Sequence, residues 1–196
     1  MSESRHNEKI KVLGIMGSPR IKGNTDLLLD QALKGAKDNK ADIEKIIVDK
    51  LNIAGCKEYY GCLKDGNCVI RDDMEAIYPK LLDADVIIVA SPIFFYGLTA
   101  QLKALIDRSQ AIWARKYVLK FPPHKQGRKG AFIGVGATKG EQLFVGPALT
   151  IKYFFKALDV AYAGELLVRG VDNRGDIKKH PEALTEAYVL GQKLTS

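Results

Sequence analysis

Short apolar runs alternate with amphipathic segments along most of the 196 residues. Runs of four to eight residues rich in β-branched side chains are typical of buried strands, and apolar residues spaced three and four apart are typical of helices. The pattern predicts five strands, at residues 11–17, 43–48, 86–90, 131–136 and 160–168. It predicts five helices, at residues 24–36, 72–82, 99–110, 146–158 and 181–193.

This regular alternation predicts an α/β fold in which a parallel sheet is covered by helices on both faces. The length favours one domain over residues 1–196, with a flexible N-terminal tail at residues 1–9. In open parallel sheets a ligand binds beyond the carboxyl ends of the strands, where the strand order reverses. For the order 2-1-3-4-5 that point lies between the first and third strands.

The composition argues against a membrane-spanning or a secreted protein. No apolar run approaches the ~20 residues that a membrane span requires, and the N-terminus lacks the apolar centre of a signal peptide. The three cysteines, Cys56, Cys62 and Cys68, lie within thirteen residues. Such clustering favours a reducing cytoplasm, where cysteines are more often free thiols or metal ligands than disulfides. We expect a soluble, cytoplasmic protein with no membrane partner.

The net charge of +7 raises the question of nucleic acid binding. The excess is concentrated in residues 115–129, which carry six basic residues and no acid. The sequence shows no helix-turn-helix, zinc-finger or aromatic RNA-binding signature, so no nucleic acid partner is predicted. The basic run is then either a solvated loop or one that attracts a phosphorylated small molecule.

Two loops of unusual composition follow the first and third predicted strands. The first, at residues 17–25, offers side-chain donors and an arginine and runs into a helix N-terminus, where phosphate binds well. It departs from the nucleotide-triphosphate loop, because the spacing from Gly17 to Gly23 is one residue too long and Asn24 replaces the lysine. A monophosphate suits it better, and the alternative is a polar helix cap without a ligand.

The second loop, at residues 91–97, carries three consecutive aromatic residues, Phe94, Phe95 and Tyr96. They offer stacking surfaces for a flat ring, although such runs also serve as core. Together the two loops indicate a monophosphate attached to a flat ring system.

Three segments of the sequence, residues 17–25, 91–97 and 102–108, resemble the NADPH-dependent FMN reductase family and, within it, the iron-sulfur flavoproteins. The resemblance extends over residues 10–195 and implies a flavodoxin-like fold with non-covalent FMN. It places the FMN phosphate at Ser18, Arg20, Gly23, Asn24 and Thr25. It places the isoalloxazine ring at Pro92, Ile93, Phe94, Phe95, Tyr96 and Gly97. A third loop, with Thr138 and Gly140, would border the flavin; otherwise it is an ordinary glycine-rich turn.

The cysteines match the iron-sulfur flavoproteins incompletely. Those proteins carry four closely spaced cysteines before an Asp-Asp-Met, and here Tyr59 occupies the second cysteine position. A [4Fe–4S] cluster normally takes four thiolates. Three readings stay open for Cys56, Cys62 and Cys68: a cluster with an unusual fourth ligand, a zinc site completed by water, or thiols packed in the loop. None of the three histidines is close in sequence to complete a zinc site.

The resemblance implies an oxidoreductase that takes hydride from NADPH or NADH and passes electrons to a flavin, a quinone or a similar acceptor. Flavin carries this chemistry, so no side chain is predicted as a catalytic acid or base. The basic run at 115–129 would then attract the 2′-phosphate of NADPH. The alternative is an electron carrier that exchanges electrons with ferredoxin-like proteins. The resemblance also implies a homodimer or homotetramer, for which the apolar residues 149–155 offer a surface.

Overall fold

The computed structural model describes residues 9–196, so nearly all of the predicted tail lies outside the described residues. Five strands form one sheet in the order β2-β1-β3-β4-β5, and every neighbouring pair is parallel. The strands are β1 (Lys11–Met16), β2 (Asp42–Ile47), β3 (Val86–Pro92), β4 (Lys129–Gly136) and β5 (Ala161–Arg169). The predicted doubly wound, flavodoxin-like fold is confirmed.

Seven α-helices and two 3-10 turns occur in the described residues. The helices are α1 (Asn24–Asp38), α2 (Cys62–Asp65), α3 (Met74–Asp83), α4 (Ala100–Arg108), α5 (Gln110–Tyr117), α6 (Val145–Ala157) and α7 (Pro181–Leu194); the 3-10 turns are Val48–Lys50 and Asp176–Lys179. Among residues 9–196, no helix is long and apolar enough to cross a membrane.

The helix predicted over residues 99–110 corresponds to α4, but a second helix, α5, follows it where none was predicted. Helix α4 ends at Arg108, and α5 begins two residues later, after Ser109. The Ser109 hydroxyl donates to the carbonyl of Leu105 at 3.1 Å, and a serine bonded back to its own helix in this way often bends it. Helix α5 is short, and its weak pattern is obscured by the basic residues in its last turn.

The sheet separates two apolar cores. Alternate residues of each strand point to opposite faces, so Ile88 packs beneath α1 and α7, whereas Ile87 packs beneath α3, α4 and α6. Helices α1 and α7 approach so closely that a Cβ on Gly191 would lie 1.8 Å from the carbonyl oxygen of Ala32. These buried faces hold the sheet rigid and leave its carboxyl edge free for a site.

The basic run does not form one phosphate-attracting loop. Its first residues belong to α5, and Arg128 is buried, where its guanidinium donates to the carbonyls of Leu81, Ala84 and Leu158. Lys125 pairs with Asp85 at 3.0 Å. The run ends at the start of β4, so it lies at the amino ends of the strands. The expectation that it attracts the 2′-phosphate beside a flavin was therefore wrong, since that site lies at the opposite edge.

Candidate functional site

The two loops singled out in the sequence meet at the carboxyl edge of the sheet. Strands β1 and β3 are direct neighbours, and the Gly17 N–H donates to the carbonyl of Ala90 at 2.8 Å. The Thr99 hydroxyl, which caps α4, donates to the carbonyl of Gly17 at 2.7 Å. A Cβ on Gly17 would lie 2.8 Å from Leu102, so a glycine is needed where the loops join.

A narrow cleft of about 150 Å³ opens between these loops. Ser18, Arg20, Asn24 and Thr25 line one side, and Pro92, Ile93 and Phe94 line the other. Helix α1 begins here after Gly23 with no side chain capping its first N–H groups. Free N–H groups and the positive end of the helix dipole favour an anion. The cleft therefore has the donors that a phosphate needs.

The buried carboxylate of Asp26, in the first turn of α1, forms an ion pair with Lys45 of β2. Asp26 is only 2% exposed, and it pairs with the ammonium of Lys45 and accepts from the Lys22 N–H at 2.7 Å. Burial alone would lower the pKa of Lys45, but its hydrogen bonds to Asp26 and Asp30 outweigh burial and raise that pKa. Lys45 therefore stays charged and offsets part of the negative charge of Asp26 and Asp30 near the N-terminus of α1.

The resemblance implies that Asn24 binds the phosphate, whereas in the structure its side chain hydrogen-bonds to other parts of the protein. Its side-chain amide donates to the carbonyl of Asn173 at 2.9 Å, and its oxygen accepts from the Ile177 N–H at 3.2 Å. Both partners lie between β5 and α7. Asn24 therefore braces that connection against the first loop and keeps at most one N–H for a ligand.

The β5–α7 connection is a part of the site that the sequence reasoning missed. Val171, Asp172 and Arg174 line the cleft, and the Arg174 guanidinium donates to the carbonyl of Ile21. All carboxyl ends of a parallel sheet share one edge, so the segment after β5 could have been added on topology alone. Its residues match no phosphate motif, which is why it was overlooked.

The aromatic loop is a tight turn in a strained conformation. Phe95 and Tyr96 have φ values of 48° and 60°, and Phe94 and Gly97 exchange two hydrogen bonds at 2.9 and 3.0 Å. This is the geometry of a type I′ turn, which normally carries Asn-Gly because large residues are strained at positive φ. The turn exposes Phe95 fully to solvent. Strain of this kind clusters at functional sites.

The third predicted loop packs against the aromatic turn. A Cβ on Gly140 would lie 2.5 Å from the Tyr96 hydroxyl, so this glycine allows the close approach. Arg169 donates to the carbonyls of Gly140 and Glu141 at 3.4 and 3.2 Å. Thr138 is exposed on the same loop. The loop therefore packs against Tyr96, which lies in the same turn as Phe94 of the cleft wall.

The cysteine segment does not fit an iron-sulfur cluster. Cys56, Cys62 and Cys68 are free thiols, and Tyr59, in the second of the four ligand positions, is 63% exposed. In the described part of the chain, no three His, Cys, Asp or Glu side chains are placed to hold a metal ion together. A [4Fe–4S] cluster takes four thiolates, and the chain contains only three.

A parallel sheet of order 2-1-3-4-5 with an anion cleft between β1 and β3 defines a flavodoxin-like protein. Residues 10–161 match the sequence profile of the NADPH-dependent FMN reductases, and the chain belongs to this family. FMN is the cofactor of the family and NADPH its electron donor. The cleft donors and the exposed aromatic turn fit the phosphate and the ring of FMN.

Named relatives agree with this assignment. An iron-sulfur flavoprotein of Methanosarcina thermophila is 36% identical over 66% of this chain and 65% of its own length. A Bacillus subtilis protein named as an NAD(P)H-dependent FMN-containing oxidoreductase is 27% identical over 92% of this chain and 96% of its own length. The matched region thus spans just under two thirds of the Methanosarcina flavoprotein.

Solved structures share the fold. An NAD(P)H:quinone oxidoreductase from Methanothermobacter marburgensis superposes with a TM-score of 0.71, covering 96% of this chain and 98% of that one. Their sequences are 16% identical, so the likeness shows the fold alone.

Proposed function

We propose that this chain is an FMN-dependent oxidoreductase that takes hydride from NADPH or NADH and passes the electrons to a small acceptor, such as a free flavin or a quinone. Family membership supports the cofactor and the donor. The observation that carries the proposal is the meeting of an anion cleft with a strained, exposed aromatic turn at one edge of the sheet.

Each loop has a separate task in this proposal. Arg20 and Ser18, with the first N–H groups of α1, would hold the phosphate, while Asn24 and Arg174 fix the surrounding backbone. The residues Pro92 to Gly97 would position the ring and leave one face open to the nicotinamide. When bound, FMN supplies the hydride-accepting ring. Backbone N–H groups near Gly97 would favour negative charge on the reduced ring.

An exposed apolar surface supports a homo-oligomer as part of the proposal. Val145, Leu149 and Tyr153 are 63%, 54% and 64% exposed and recur every four residues along α6, so they form one stripe. The stripe adjoins the aromatic turn, because a Cβ on Gly146 would lie 3.2 Å from the carbonyl oxygen of Tyr96. A second copy seated there would cover the flavin.

The three free thiols support a reducing, cytoplasmic location.

The test is an anaerobic absorption spectrum of the protein loaded with FMN, before and after NADPH is added. Bleaching of the flavin bands by NADPH, and their return when a quinone is added, would support the proposal. A flavin that NADPH leaves oxidised but reduced ferredoxin bleaches would favour the electron carrier. A protein that does not bind FMN at all would overturn both.

The phosphate role is tested by comparing FMN with riboflavin, which lacks the phosphate. Arg20→Ala should weaken FMN binding roughly ten- to a hundredfold, because a charged hydrogen bond is worth about 1.5–3 kcal/mol, and should leave riboflavin binding unchanged. Lys125→Ala is the matched control, since it removes an equal charge at the opposite edge. Equal losses for FMN and riboflavin would contradict the phosphate role.

A further inference from the structure

The three cysteines share a cavity that the proposed flavin chemistry does not use. Cys56, Cys62 and Cys68 line about 400 Å³ of space together with Tyr59 and Val69. Asp107, at the end of α4, is also part of its wall, whereas α4 begins at the junction of the flavin loops. At 1.5 Å per residue the two sites lie about 12 Å apart along this helix. The cysteine cavity and the junction of the flavin loops therefore lie toward opposite ends of α4.

Cys62 and Cys68 are carried by chain segments that run side by side. Helix α2 starts at Cys62 and ends at Asp65, and the next residue, Gly66, has a φ of 80° that reverses the chain just before Cys68. The Gly66 N–H closes this loop by donating to the carbonyl of Cys62 at 2.9 Å.

The residues that flank the pair touch each other. A Cβ on Gly61, just before Cys62, would lie 2.3 Å from a methyl group of Val69, just after Cys68. Much of the entropy needed to bring the two thiols together is therefore already lost on folding.

The electrostatics agree with this pairing. Burial is the main cause that raises the pKa of Cys62, and the charge of Cys68 raises it next, ahead of the charge of Cys56. Cys68 also interacts with the Arg108 guanidinium, whose buried Nε has no hydrogen-bond partner among the described residues. Cys62 and Cys68 are both half-buried, whereas Cys56 is exposed.

We propose that Cys62 and Cys68 are a redox modification site at which a hydroperoxide forms a reversible disulfide, with Cys56 outside the pair. One thiolate attacks hydrogen peroxide and breaks its O–O bond; the sulfur becomes a sulfenic acid, and the hydroxide that leaves takes up the proton released by the thiol and forms the first water. The second thiol displaces the second water and forms the S–S bond. In total, two thiols and one hydrogen peroxide give one disulfide and two waters. A small dithiol reverses the reaction by thiol–disulfide exchange.

Trypsin separates the three cysteines, which makes the pairing directly measurable. Cleavage after Lys50, Lys57, Lys64 and Arg71 leaves one cysteine in each of the peptides 51–57, 58–64 and 65–71. The full-length protein is treated with hydrogen peroxide, alkylated at its free thiols, digested without reduction and analysed by mass spectrometry. We expect peptides 58–64 and 65–71 to be joined and lighter by two hydrogens than their sum. Peptide 51–57 should be alkylated, and dithiothreitol should abolish the link.

Single variants give the controls. Cys56→Ser should keep the link, while Cys62→Ser and Cys68→Ser should each lose it. A link through Cys56, a link between chains, or alkylation of all three thiols after peroxide would overturn the proposal. So would anaerobically purified protein that contains iron and sulfide and resists alkylation at all three positions. None of these outcomes depends on FMN binding, so the result is separate from the test of the flavin reaction.

Discussion

Arg108 and Asp72 form a bidentate ion pair that fastens the cysteine segment to helix α4. The two guanidinium nitrogens lie 2.5 and 3.1 Å from the carboxylate oxygens, and the side chains are 0% and 6% exposed. The same guanidinium donates to the carbonyls of Ala54 and Ile70, which stand on either side of the cysteines. One buried cation therefore holds both ends of a segment that has little regular structure.

Asp72→Asn should lower the free energy of unfolding by about 3 kcal/mol, because it leaves a buried guanidinium without its counter-charge. Urea denaturation measures this change. Glu75→Gln is the matched control: it breaks the exposed Arg71–Glu75 pair and should cost under about 1 kcal/mol. Similar losses for the two variants would show that burial does not increase the contribution of the Arg108–Asp72 pair to the free energy of unfolding.

The same pair predicts a pH dependence. Burial would raise the pKa of Asp72, but the hydrogen bonds and charge of Arg108, together with the hydrogen bonds from the Ala54 and Met74 N–H groups, outweigh burial and lower that pKa below its ordinary value of about 3.9. The carboxylate's contribution to stability is therefore fully present above about pH 4 and is lost as the pH falls through the lowered pKa. In urea titrations from pH 6 to pH 2, the gap between the wild type and Asp72→Asn should shrink below pH 4. A constant gap would contradict this.

Replacing the two strained residues of the aromatic turn should raise stability and weaken FMN binding. Phe95→Asn with Tyr96→Gly supplies the residues that a type I′ turn prefers, and should relieve about 1–3 kcal/mol of strain. Urea denaturation and flavin titration measure the two effects. Phe95→Ala is the control, since it removes the ring but keeps a Cβ at positive φ, and should weaken binding without a gain in stability. A double variant that binds FMN normally would rule out a role for the turn.

Gly140→Ala should weaken FMN binding several-fold. The new methyl group would lie 2.5 Å from the Tyr96 hydroxyl and displace the Tyr96 ring from its position. Gly55→Ala is the matched control, because a Cβ there has no atom within 4 Å. Flavin fluorescence titration of the two variants measures the effect, and equal affinities would show that the third loop does not position Tyr96.

Asn24→Ala should loosen the β5–α7 connection. The change removes the bonds to Asn173 and Ile177 and should cost about 1–3 kcal/mol. Hydrogen exchange at the Ile177 amide reports the loss directly, since that N–H donates to the Asn24 side chain. Asn39→Ala removes a comparable bond from the residue after α1 to the carbonyl of Gln192, so it should leave exchange at Ile177 unchanged. Unchanged exchange in Asn24→Ala would contradict the bracing role.

The sequence by itself determined the strands, most of the helices, the parallel class of sheet and the two loops at its carboxyl edge. These features are encoded locally, because hydrophobic period and turn residues act within a few positions along the chain. The family resemblance had the same origin, since its motifs lie in those loops. Two helices were missed because their local signals are weak. The apolar pattern of α5 is obscured by basic residues, and α2 has only four residues.

Only the tertiary structure decided which polar groups are free for a ligand. Asn24 has the composition of a phosphate donor, but its partners lie about 150 residues away in sequence. In the sequence Arg128 belongs to a run typical of a solvated basic loop, but in the structure its guanidinium donates hydrogen bonds to three buried carbonyls. The residue type determines which bonds a side chain can form. Whether it is available to a ligand depends on which groups, distant in sequence, pack against it in the folded chain.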